Sequence, residues 1–103
     1  MVFNIYIKNS NSKIKKYVAF IFNKRKLIKI VKFWDRGLSD YTIHNDELLK
    51  ESFIARHYDY NINNFKFPAF FSRWVLFNKK SIEESIIDLN EKYNSNKIYF
   101  YRI

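Results

Sequence analysis

The run Ala69-Phe70-Phe71-Ser72-Arg73-Trp74-Val75-Leu76-Phe77-Asn78 is the densest apolar stretch in the chain and most constrains what the rest can fold into. Pro68 precedes it, and a fixed φ with no N–H to satisfy suits the first turn of a helix. From there Phe70, Trp74 and Phe77 fall at i, i+4 and i+7 on one helical face, which Phe71, Val75 and Leu76 widen. A short helix that is apolar nearly all round belongs inside a domain, where bulky rings supply most of the burial. Phe70, Trp74 and Phe77 are therefore expected as core or interface anchors. Arg73 is the one charge among them, expected to reach a carboxylate or to stack on a ring.

Periodicity places the elements around that helix. Val2–Lys8 alternates Phe3, Ile5 and Ile7 with Asn4, Tyr6 and Lys8, the pattern of a strand. Asn9-Ser10-Asn11-Ser12 reads as a turn, Lys15–Phe22 as a second strand, and Asn23-Lys24-Arg25 as a hairpin loop. A third strand follows, with Leu27, Val31 and Phe33 on one side and Ile28, Ile30 and Lys32 on the other. Ser39 or Asp40 caps a helix that carries Asp46, Glu47 and Glu51 early and Arg56 and His57 late, as the helix dipole favours. Leu48, Leu49, Phe53 and Ala55 are its apolar side. An Asn-rich loop covers 58–67. Ser81-x-x-Glu84 is a capping box, and Ile82, Ile86, Leu89 and Tyr93 form a helical stripe opposite Glu83, Asp88 and Glu91. Asn94-Ser95-Asn96 ends that helix, and Ile98–Ile103 returns as a strand.

These elements predict an α+β fold: a three-stranded antiparallel meander with two or three helices on one face and a C-terminal strand rejoining the sheet. A length of 103 residues fits one domain, and no linker or repeat divides it. Residues 1–37 form a basic β meander; residues 38–103 are mainly helical and charge-neutral.

The charge is segregated. Residues 1–37 hold ten Lys or Arg against Asp35 alone, so the whole net charge of +9 lies there. One explanation is a solubilising sheet face. The sharper one is a surface for an acidic partner, namely nucleic acid, an acidic protein or a membrane surface, built from Lys13, Lys15, Lys16, Lys24, Arg25, Lys26, Lys29 and Lys32. Aromatics interleave with cations in Lys15-Lys16-Tyr17-Val18-Ala19-Phe20, as on platforms that stack single-strand bases. Tyr17 and Phe20 equally satisfy the core pattern of a strand.

Several chemistries are excluded or unsupported. No cysteine is present, so disulfides, zinc–thiolate sites and thiol catalysis are out. A single glycine rules out phosphate-cradling glycine loops. His44 and His57, the only imidazoles, lie 13 residues apart and point to different sides of one helix, so no metal site or cofactor is expected. No catalytic residues and no small-molecule substrate are expected. No apolar run is long enough to span a membrane, and the first residues lack the order of a secretory signal.

Four strings occur in a fixed order: Asp40-Tyr41-Thr42-Ile43-His44-Asn45-Asp46, Ile54-Ala55-Arg56-His57, Ser72-Arg73-Trp74-Val75-Leu76-Phe77-Asn78-Lys79, and Ser81 with Ser85-Ile86-Ile87-Asp88. From about Lys16 to Tyr93 the chain resembles an uncharacterised family of small basic proteins encoded by large nucleocytoplasmic DNA viruses. Members of that family tend to have glycine where Trp34 stands here, and further Lys or Arg where Tyr58, Asp59 and Tyr60 stand. The resemblance implies a viral source, synthesis in the host cytoplasm and a place in the virion. With the basic meander it leads to a non-enzymatic structural protein of minor-capsid or cement type, docking to other virion proteins. The alternative is a nucleic-acid-binding protein packaged with the genome.

Overall fold

Four alternating segments pair into one mixed sheet in the computed structural model, which describes residues 1–57 and 60–103. β1 (Phe3–Asn9), β2 (Lys15–Asn23) and β3 (Lys26–Asp35) form the antiparallel meander. β4 (Ile98–Arg102) lies beside β1 and parallel to it, giving the order β3-β2-β1-β4. Parallel neighbours need a long crossover, and the helical segments supply it. Ile5, Ile7, Ala19, Ile21, Val31, Phe33 and Phe100 face that layer and are buried with it.

In β3 the alternation slips. Ile21 is opposite Lys29, but Phe22 is opposite Leu27, so Ile28 is an extra bulged residue. Leu27 is therefore not in phase with Val31 and Phe33, as unbroken alternation predicts, and it is exposed with Ile28 and Ile30.

The helix expected from Ser39 or Asp40 to His57 is two: α1 (Tyr41–His44) and α2 (Glu47–Arg56). The Asp40 carboxylate accepts from Thr42 N (2.8 Å) and that of Asp46 from Leu48 N and Leu49 N, so each aspartate starts its own helix. Asn45 between them is left-handed, and its side chain donates to the carbonyls of Tyr41 and Lys80. The break re-aims α2. Leu48 and Leu49 point to solvent, 74% and 50% exposed, and Ala55 is exposed too, while Phe53 is buried and Ile54 packs beside it. The Asn-rich stretch contains a 3₁₀ turn, Tyr60–Asn63; Tyr58 and Asp59 lie outside the described residues.

The central run starts as expected, with Pro68 opening α3 (Pro68–Phe71). It then widens into a π-turn, Ser72–Leu76, in which Phe77 N donates to Ser72 O (3.1 Å). An i→i+5 turn replaces 3.6 spacing with a longer one. Phe70 is followed inward by Val75, and Phe71 by Leu76, all fully buried. Trp74 is thereby moved off the face of Phe70 and is only partly buried. Its Nε1 donates to Ile62 O (3.1 Å), and its ring lies between the Arg73 guanidinium (4.1 Å) and the Lys92 ammonium (4.2 Å). Arg73 takes the stacked alternative and also donates to Phe77 O (2.7 Å); burial lowers its pKa. α4 (Ile82–Tyr93) starts at Ser81 as its sequence predicts, with Ser81 Oγ accepting from Glu84 N; Ile82, Ile86 and Leu89 of its stripe are buried and Tyr93 is partly buried.

With one glycine available, left-handed backbone falls to other residues: Lys24, Trp34, Asn45 and Lys97, besides Gly37. Trp34 is the costly case, at φ 68°. Its indole packs against the rings of Phe53 (5.7 Å) and Phe77 (5.2 Å). Trp34→Gly relieves about 1 kcal/mol of backbone strain but removes a partly buried indole, a loss of about 2–3 kcal/mol. We expect a net destabilisation in urea titration; an unchanged or raised midpoint would show that the ring contributes little.

Candidate functional site

Among the described residues no helix covers the second face of the sheet, and strand register builds it in rows. At one end Lys8, Val18 and Lys32 are directly opposite one another. The middle row is Tyr101, Tyr6, Phe20 and Ile30, and the third is Tyr99, Asn4, Phe22 and Leu27. Beyond the third row comes the hairpin turn with Lys24 and Arg25. A belt rich in rings thus lies between two cationic rims. Val18 is buried although it faces outward, as expected for a small side chain between two lysine stems.

The rings form a partly exposed platform. Tyr6 stacks on Tyr101 (4.9 Å between centroids, 17° between planes) and meets Phe22 edge-on at 5.6 Å. Tyr101 Oη donates to Asn4 Oδ1 (3.1 Å). Two depressions adjoin across this face. One of ≈ 580 Å³ is lined by Tyr6, Lys8, Phe20, Phe22, Lys24, Arg25 and Ile103. The other, ≈ 420 Å³, is lined by residues 8–12 with Val18, Phe20, Ile30 and Lys32. No Asp or Glu side chain lines either one. The one acidic residue of the four strands, Asp35, is opposite Lys15, in phase with Tyr17 and Phe33 on the helix-covered side, and pairs with it at 2.5 Å.

The basic residues singled out from sequence are divided among several places. Lys24, Arg25 and Lys32 border the open face, whereas Lys16 lines neither depression and its ammonium lies 5.5 Å from the Tyr17 ring. Lys15 is in its ion pair. Lys29 is opposite Ile21, and its ammonium lies 4.9 Å from the Phe67 ring. Lys26 is opposite Asn23, and Lys13 is exposed in the β1–β2 turn. Arg36 ties that turn down through donations to Ser12 O (2.7 Å) and Ser10 O (2.6 Å). Lys8, Tyr6, Phe22 and Tyr101 join the face without having been singled out; their signal was the outward position in each period-2 strand. Tyr17 and Phe20 separate: Tyr17 is in the core, stacked on Phe33, and Phe20 is on the open face. The anchors Phe70 and Phe77 are buried, whereas Arg73 and Trp74 reach the surface.

The histidines serve their helices. His44 Nδ1 accepts from Asp46 N (2.9 Å), and His57 Nδ1 lies 3.0 Å from Phe53 O with its ring stacked on Phe53. Among the described residues no three His, Asp or Glu side chains converge as a metal site, and no helix is long and apolar enough to cross a membrane.

No curated protein and no solved structure matches the chain. A family match starts within β1 and ends at His57, taking in the Asp40–Asp46 and Ile54–His57 strings but not those of the central run or α4. Because that match spans residues 5–57, just over half of the sequence, the chain belongs to a family of unknown function (DUF5754).

Proposed function

We propose that the chain is a non-catalytic nucleic-acid-binding protein that lays the open face of its sheet against the polymer. The observation that carries this reading is the ring-rich belt between two cationic rims with no Asp or Glu side chain in its lining. Lys8 and Lys32 at one end, and Lys24 and Arg25 at the other, would meet phosphates, while the belt meets bases. The resemblance adds a viral setting, in which the ligand is the packaged genome. Docking to an acidic shell protein, the minor-capsid or cement role, draws on the same cations and has support from charge alone.

The test is a triple reversal, Lys24→Glu with Arg25→Glu and Lys32→Glu. These side chains are exposed and in no ion pair among the described residues, so the circular dichroism spectrum and the melting curve should be preserved. Affinity for a labelled oligonucleotide should fall on the order of 100-fold at low salt, and wild-type affinity should decline with a log–log salt slope of about −0.7 per phosphate on single strands. In purified particles the protein should fractionate with the genome. Selective attachment to shell components, with no preference for nucleic acid over heparin, would overturn the proposal in favour of a cement role.

A further inference from the structure

We infer that the open face takes a single strand and not a duplex, with Phe20 as the ring on which an unpaired base stacks between two neighbouring subsites. This inference rests on the nucleic-acid reading and specifies its ligand. In a duplex the base faces are hidden in the stack, and phosphates are met by groups that protrude into or along a groove. Here the rings lie between the cations on a sheet surface, where only an unpaired base can reach them.

Phe20 is placed differently from its neighbours. Tyr6, Phe22 and Tyr101 are engaged with one another, whereas Phe20 has no ring partner among the described residues and is only half-buried. It lines both depressions, as does Lys8. One depression adds Lys24 and Arg25, the other Lys32, so each subsite holds its own cation and shares a ring wall with the next. Each is an open depression and not an enclosed pocket, so a base would lie against the ring with one side still in water. Along β2 the path from Phe22 to Val18 is about 13 Å at strand rise. An extended single strand covers that with about two or three nucleotides, against about four at the 3.4 Å spacing of a duplex strand. A polymer entering at the hairpin rim would thus cross the belt and leave past Lys8 and Lys32.

The experiment measures fluorescence anisotropy of wild type, Phe20→Leu and Phe20→Tyr with three probes: fluorescein-labelled oligothymidine, a labelled duplex of equal phosphate count, and labelled inorganic polyphosphate. Leucine keeps the bulk without the π-face, and tyrosine restores the face. Wild type should prefer the single strand over the duplex. Phe20→Leu should weaken oligothymidine binding about tenfold, leave polyphosphate binding within about twofold, and be rescued by Phe20→Tyr. Melting curves check each fold, and the tyrosine variant keeps the test decisive if the leucine variant is unstable. Single-strand affinity unaltered in Phe20→Leu, or duplex bound as tightly as single strand, overturns the stacking inference while the charge-based reading stands. Wild type that binds no nucleic acid overturns both.

Discussion

Replacing Phe71 by alanine should cost about 3–5 kcal/mol, whereas Trp74→Ala should cost about 1–2.5 kcal/mol, less than is usual for so large a side chain. Phe71 is fully buried, stacked on Phe33 at 5.2 Å and edge-on to Phe70 at 5.2 Å, so its loss leaves a cavity where sheet and helices meet. Trp74 is only partly buried: it packs against the edge of the core, and it also meets two cations and two acceptors at residues 62 and 63. A cavity there opens to water and fills. Unfolding in urea, monitored by circular dichroism because Trp74 is itself a fluorophore, gives both values. Equal costs, or a larger one at Trp74, would place the indole in the core and refute the π-turn that moves it outward.

The second large effect is expected at Asn90. Its side chain donates to Phe100 O (2.8 Å) and accepts from Phe100 N (2.7 Å), doing for β4 what a further strand would do. β4 is an edge strand, and an open edge invites pairing with another chain. Asn90→Leu leaves both backbone groups unpaired, at a cost of about 2–4 kcal/mol. The Phe100 amide should lose protection from hydrogen exchange, and self-association should rise with concentration. A variant within about 0.5 kcal/mol of wild type, with Phe100 still protected, would mean that water replaces the side chain without penalty.

The strands, α4 and the charge segregation were legible because each is written in contiguous residues. Period-2 alternation places Ile5, Ile7, Ala19 and Ile21 on one side whatever they pack against. Ser81 and Glu84 are three residues apart, so the α4 cap needs no tertiary information. Asp40 and Asp46 are equally good local caps, and reading them as one helix overlooked that a carboxylate competing for nearby N–H groups can restart a helix as well as begin one. The candidate site was only half legible. Its cations lie in the basic first third, but Lys15 and Lys16 differ by one residue and therefore by one face of the sheet. Lys15 pairs with Asp35 on the covered side, and the ring platform needs Tyr101, brought from the far end of the chain to lie opposite Tyr6.

By itself the sequence determined which segments become strands, where α4 begins and that one third of the chain holds all the excess charge. Its local terms, alternation, capping and charge spacing, act over a few residues and hold in any context. Tertiary structure alone decided that β4 runs parallel to β1, that the central run widens into a π-turn which buries Val75 and moves Trp74 outward, and that Trp34 adopts left-handed backbone to reach Phe53 and Phe77. Each of those outcomes trades a local preference for burial against partners remote in sequence. The energy of burying a ring exceeds the cost of one strained φ or one widened turn, so packing prevails wherever the two disagree.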